Sequence, residues 1–277
     1  MISSTSLGVA LLAAAVSPSP SVQDRGDIPA FALDRPEIRS GEPVLQFNGN
    51  DLSGFYTYLK DSGYDDPKDV FSVVDGMLRI SGEEFGGIIT DEEFENYHLI
   101  IEWRWGPKTF PPRVDRSRDS GLLLHCVGED GAAGSGWMES IECQIIEGGC
   151  GDFIMVGGAE RPSLTCVVRE GEGNQLYYDP VDGKPVTRDS GRYNWWGRDP
   201  EWKDVINVRG PRDVESPAGE WTTMEVICDG ATITNIVNGY VVNVGTEASL
   251  TKGKILLQSE GAELHCRRFE VRPILRD

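Results

Sequence analysis

The chain has 277 residues, a formal net charge of -19 at pH 7 and a pI near 4.5. That length suits one large all-β or α/β domain, or two small ones, with enough chain to bury a core. The acidity argues against phosphate-backbone recognition, which needs clustered Lys and Arg to displace counterions, so nucleic acid is not an expected partner.

Residues 1–23 carry an apolar stretch from Leu7 to Val16 followed by small residues and prolines. This is the order of a signal-peptide core and cleavage site, although no Lys or Arg precedes it, and the stretch is too short to span a bilayer. The expectation is a secreted or periplasmic protein with no membrane span. Residues 24–41 mix Pro, Gly and charge without a period and read as a leader or linker. From residue 42 to 277 a single domain is expected. Its short runs include "MLRIS" after Asp75-Gly76, "YHLIIEWRW", "SGLLLHC", "SIECQII", "TTMEVIC", "KILLQ" and "HCRRFEVRP". Each is strand-length and rich in β-branched or aromatic residues, and Asn238-Gly239 between "TITNIV" and "YVVNV" is a hairpin turn. Many short strands with almost no helical period predict an all-β sandwich or jelly roll. The stretch 180–220 has aromatics, charge and turn residues but no period, and loops of that length inside a domain are usually functional.

The tripeptide Leu-His-Cys occurs twice, at residues 124–126 and 264–266, and takes two of the three histidines. Strand alternation predicts Leu124, Cys126, Leu264 and Cys266 facing inward and His125 and His265 sharing an outer face. The six cysteines show no CxxC spacing, so structural zinc has little support and buried thiols are expected. Cys143 with Cys150, and Cys126 with Cys266, are the pairs to check for disulfides. The same alternation sets Glu142 and Gln144 opposite Cys143, Glu102 and Arg104 opposite Trp103, and Gln258 opposite Leu257, with Glu260 in the following turn. Such a face is either a solvated surface or a polar cleft.

The runs "LQFNGNDLSGFYTY", "FSVVDGMLRISG", "GGIITDEEFENYHLIIEWRW", "DSGLLLHC", "SIECQIIEGGCGDFIMVGG" and "GKILLQSEGAELHCRRFEVRPI", with "VRGPRDVESPAGEWTTMEVICDGATITNIVNGYVVNV" before the last, stand in the order seen in the 3-keto-disaccharide hydrolase domain family. The chain resembles that family from about Pro43 to Ile274. The resemblance implies a concanavalin A-like jelly-roll β-sandwich of two antiparallel sheets with a cleft on a concave face. It also implies a small carbohydrate substrate, a glycoside oxidised to a ketone at sugar carbon 3. Such a ketone acidifies the hydrogen on carbon 2, so a base can start β-elimination of the aglycone from carbon 1, and water then adds to the enone.

That chemistry needs a base, an acid for the leaving oxygen and a donor or metal for the enolate oxygen. Glu142, His125 and Arg104 are the expected catalytic residues, in that order of role. Glu102, Gln144, Gln258, Glu260 and His265 are expected to bind substrate, His265 or Glu260 being alternatives for the acid or for a metal ligand, with Trp195 and Trp196 of the long loop stacking on sugar. The family's Asn-Ser-Gly element corresponds to Asp119-Ser120-Gly121, and His125 stands where many members carry Arg. A divalent metal is compatible with the chemistry, but no ligand spacing assigns one. Two alternatives stay open: a lectin-like binding module, and a two-carboxylate glycoside hydrolase using Glu139, Glu142 or Glu147.

Overall fold

A computed structural model describes residues 28–158 and 161–276. The signal-peptide expectation for residues 1–23 lies outside the described residues. In chain order the strands are β1 (Leu45–Gln46), β2 (Phe55–Leu59), β3 (Phe71–Val74), β4 (Met77–Ile80), β5 (Gly86–Thr90), β6 (Tyr97–Thr109), β7 (Asp119–Val127), β8 (Glu139–Ile146) and β9 (Phe153–Val156). There follow β10 (Leu164–Glu170), β11 (Leu176–Tyr178), β12 (Lys184–Arg188), β13 (Gly191–Tyr193), β14 (Thr222–Asp229), β15 (Thr232–Val237), β16 (Tyr240–Thr246), β17 (Lys254–Ser259) and β18 (Ala262–Pro273). They form two antiparallel sheets, the jelly-roll sandwich that the strand pattern predicts. The first runs β11-β10-β16-β15-β14-β6-β18-β4-β3, with β1 added on β18 and β12 on β10, and the second runs β13-β9-β8-β7-β17-β5-β2.

Alternation decides what each sheet buries. From the first sheet, Leu99, Ile101, Trp103 and Trp105 of β6 and Met224, Val226 and Cys228 of β14 enter the core. From the second come Leu122 and Leu124 of β7, Ile141, Cys143 and Ile145 of β8, and Ile255 and Leu257 of β17. The intervening residues of β7, β8 and β17 therefore line the face of the second sheet that turns away from the core. Part of the expected linker joins the domain instead: Phe31 packs edge-on against Tyr178 and Trp196, and Arg35 pairs with Glu225 at 2.7 Å. Among the described residues no helix is long and apolar enough to cross a membrane.

The shared histidine face does not form, for two reasons. The two Leu-His-Cys strands lie in different sheets, β7 in the second and β18 in the first. Between Leu124 and Val127, moreover, β7 carries one residue more than β8, a bulge that places His125 at φ 53. A bulge inverts the alternation beyond it. His125 is fully buried, its ring edge-on to Tyr97 at 5.4 Å, and burial pushes its pKa down to about 4. Cys126 is turned to the other side, into an apolar cluster with Ile89, Leu123, Met138 and Leu256.

All six cysteines are buried free thiols, and burial raises the thiol pKa of each. Neither bridge singled out in the sequence is formed. Ellman titration is expected to find no fast-reacting thiol in the native protein and six in unreduced, denatured protein. A count of four after denaturation would reveal a disulfide.

Candidate functional site

Two rows of side chains cross the outer face of the second sheet. In one, Gln144 of β8 stands opposite Gly121 of β7, the Leu257–Leu122 pairing puts Gln258 of β17 beside Gly121, and Gly87 and Tyr58 continue the row. In the other, Arg192 of β13 faces Ile154, Ile154 faces Glu142, and Leu123, Leu256, Ile89 and Tyr56 follow.

Glycine at 121 is a steric requirement. A methyl group there would strike the Glu142 carboxylate and the Gln258 amide, which lean over it from the two neighbouring strands. Both side chains are almost fully buried, yet among the described residues Glu142 Oε1 and both Gln258 amide atoms have no hydrogen-bond partner. Asp119, two residues from Gly121 on the same face, also has an unpartnered buried oxygen, Oδ1. Buried polar atoms are normally satisfied, so three such groups around one glycine mark a place where a ligand would supply the missing partners.

The electrostatics follow from that burial. Glu142 sits between Ile154 and Leu123, and desolvation, helped by the nearby Glu260 carboxylate and opposed by Arg192, pushes its pKa up to about 8. Behind it, Arg113 contacts Asp119 and donates to Glu260 at 2.8 Å. Arg113 is shared by these two buried carboxyls and reaches Asp204 at 3.4 Å, and desolvation raises the pKa of both Asp119 and Glu260.

At the β13 edge, Asp152 is fully buried and accepts from Arg192 at 2.8 Å, Arg198 at 2.5 Å and the Trp195 backbone N–H at 2.7 Å. This carboxylate clamps the 180–220 loop onto the sheet. Beside it opens a cavity of about 360 Å³ lined by Arg188, Arg192, Asn194, Arg198 and Trp202, among others. Trp202 is half-buried, with the Arg198 guanidinium 4.2 Å above its ring.

Of the residues expected from sequence, the fold gathers Glu142, Gln144, Gln258 and Glu260. The rest go elsewhere. Arg104 lies on the outer face of the first sheet, 4.7 Å over the Trp221 ring, and His265 stands opposite it in register. Glu102, on that same face, pairs with Arg267 at 2.7 Å and Arg268 at 3.5 Å. His125 is in the interior, for the reason given by the bulge. Trp195 and Trp196 are core residues whose indole N–H groups donate to the Gly148 and Val241 carbonyls, so neither ring is free to stack on a sugar. The sequence reading missed Arg113, Asp152, Arg192 and Arg198. Only the position of the last two in the long aperiodic loop signalled them. Among the described residues no group of three or more His, Cys, Asp or Glu side chains is placed to hold a metal ion.

A carboxyl whose pKa is raised by folding destabilises the fold as pH rises from its unfolded value toward its folded one. Glu142→Gln is therefore expected to raise Tm. The gain should be near zero below pH 4.5, grow up to about pH 8 and stay constant above. A Tm difference that does not change with pH would show that Glu142 is not held protonated. Gly121→Ala should cost about 1–3 kcal/mol in a denaturant titration, the usual penalty for overpacking.

The 3-keto-alpha-glucoside-1,2-lyase-like domain model matches residues 42–272. None of the curated proteins matches the chain. Among solved structures, a Bacillus subtilis protein of unknown function with a galectin-like fold is 15% identical at TM-score 0.48, covering 87% of this chain and 100% of its own. Bacillus licheniformis β-glucanase is 11% identical at TM-score 0.44, over 86% of this chain and 100% of its own. The carbohydrate-binding module CBM66 from Bacillus subtilis is 8% identical at TM-score 0.45, over 79% of this chain and 95% of its own. The family match supports a carbohydrate-active, glycosidase-like role. With 231 consecutive residues matched, the chain belongs to the family of 3-keto-α-glucoside-1,2-lyase-like domains.

Proposed function

We propose that the protein cleaves glycosides carrying a ketone at carbon 3 by base-initiated β-elimination, followed by hydration. The observation that carries this reading is the Glu142 carboxyl, buried, raised to about 8 and pointing an unpartnered oxygen over Gly121. Glu142 takes the proton from carbon 2, and the electron pair moves toward the carbon 3 carbonyl to give an enolate. The Gln258 amide N–H donates to that enolate oxygen as charge develops on it. The enolate then reforms the ketone, the carbon 1–carbon 2 double bond forms and the carbon 1–oxygen bond breaks. The departing oxygen takes a proton from the Asp119–Glu260 pair, whose pKa values burial raises and which replaces His125 in the acid role. Water adds to carbon 1 of the enone and gives up one proton to the Asp119–Glu260 pair, which restores the acid, while protonated Glu142 returns its proton to carbon 2.

A general base tuned near the working pH fits this first step better than it fits a nucleophile that must stay ionised. We further propose that the reaction takes place outside the cytoplasm, a reading supported by the apolar stretch and small residues of positions 1–23.

Turnover of a 3-keto-glucoside, followed by enone absorbance, tests the assignment. Glu142→Gln should lower kcat on the order of 10²- to 10⁴-fold. In the wild type kcat/KM should rise with pH and level off above about 8, because the reactive form is the carboxylate. Full activity in the variant, or a rate that falls through that range, would overturn the role of Glu142. Glycan binding without turnover would favour the lectin-like alternative.

A further inference from the structure

The chain carries 45 acidic against 26 basic residues, yet the cavity beside Asp152 is lined by three arginines, Arg188, Arg192 and Arg198. The carboxylates at this place are Asp152 beneath it and Asp199 on its wall. Asp152 is shared by Arg192 and Arg198, so one carboxylate answers two guanidiniums. Arg188 donates to the Arg192 backbone carbonyl at 3.3 Å and lies 5.9 Å from the Tyr193 ring centroid, and neither partner is charged. A second cavity, of about 330 Å³, shares Arg198, Asp199 and Pro200 with the first and adds Arg169 and Arg212. Arg169 reaches Asp179 only at 3.9 Å. Positive charge is thus concentrated where the rest of the surface is acidic.

That concentration is close to the reaction centre. Arg192 is on the same cross-strand row as Glu142, with Ile154 between them. Two strand spacings separate the backbones by about 10 Å, and a long guanidinium side chain closes much of that gap. Asn194 continues the lining, with Asn174 and Gln175 at the mouth and Trp202 as a flat wall. Amides and an indole suit a sugar ring. Surplus guanidinium does not suit a neutral sugar, because desolvating it against hydroxyls alone leaves charge uncompensated. Planar guanidinium forks match carboxylate, sulfate and phosphate oxygens in paired hydrogen bonds.

We infer that the preferred substrate is an anionic glycoside, with a carboxylate, sulfate or phosphate substituent on the ring at the reaction centre or on the ring joined to it, held by Arg188, Arg192 and Arg198. This rests on the elimination reading for the reaction itself, and on the cavity lining alone for the charge. In a strongly acidic protein the pocket also gives such substrates a local attractive field that salt screens.

The test compares 3-keto-glucoside with its 6-carboxylate, 6-sulfate and 6-phosphate counterparts on one aglycone, at low and at high NaCl. At least one anionic form should exceed the neutral one in kcat/KM by about 10- to 100-fold, the usual worth of a hydrogen bond to a charged group. The ratio should shrink with salt and fall in Arg188→Gln. The rank order among the three anions identifies the substituent. Equal kcat/KM for neutral and anionic forms, independent of salt, would overturn the inference. Calorimetric binding of glucuronic acid, glucose 6-sulfate, glucose 6-phosphate and glucose separates this from failure of the chemistry. Anion-selective binding weakened by Arg188→Gln, without turnover of any keto-glycoside, would keep the pocket and remove the elimination. Turnover with no preference in either assay would do the reverse.

Discussion

The site depends on one unfavourable arrangement, a carboxyl desolvated between Ile154 and Leu123 with no cation in hydrogen-bonding contact among the described residues. Arg192 is near enough to moderate the cost but spends its guanidinium on Asp152. Such a group persists because two sheets built on interdigitated apolar rows over-determine the backbone of β8, so its outward residues have no other place to go. Gly121 then leaves the volume into which Glu142 and Gln258 lean. Stability is surrendered at this point and recovered in the core beneath, where Ile141, Cys143 and Ile145 of the same strand are buried.

The arginine–carboxylate groups around the carboxyl perform different tasks. Arg113 ties Asp119 to Glu260 at the edge of the glycine floor. Arg118, paired with Glu147 at 2.7 Å, fastens the end of β8 to the loop through Asn207. Asp152, with Arg192 and Arg198, fixes β13 and the turn after it. Glu147, tempting in the sequence as a second carboxylate, is consumed by this fastening. The long loop is therefore ordered by ion pairs and by the buried rings of Tyr193, Trp195 and Trp196, and it presents Trp202 and the guanidinium edges to the cavity.

Strand alternation in the sequence captured the sandwich and set Glu142, Gln144 and Gln258 on the side away from their core neighbours Cys143 and Leu257, because within an unbroken strand parity alone fixes the face. It failed at His125, where a single extra residue in β7 reversed the parity, and no Gly marks that bulge. It failed differently for Arg104, Glu102 and His265. Their parity was read correctly, but parity within a strand does not tell which of two sheets the strand joins, and β6 and β18 pair with each other in the first sheet. The tryptophans misled because an aromatic loop residue looks the same whether it covers the core or lines a cleft. Asp152 and its arginines are brought together by the β9–β13 pairing, a contact between residues far apart in the chain that no local pattern announces.

The most direct test of the central claim is a titration of the Glu142 carboxyl itself, by 13C NMR of glutamate side chains with Glu142→Gln used to assign the signal. The account predicts a carboxyl that titrates near 8 and is absent from the variant. A Glu142 signal that titrates near 4.5, like a solvated glutamate, would contradict it and leave the face over Gly121 without its base.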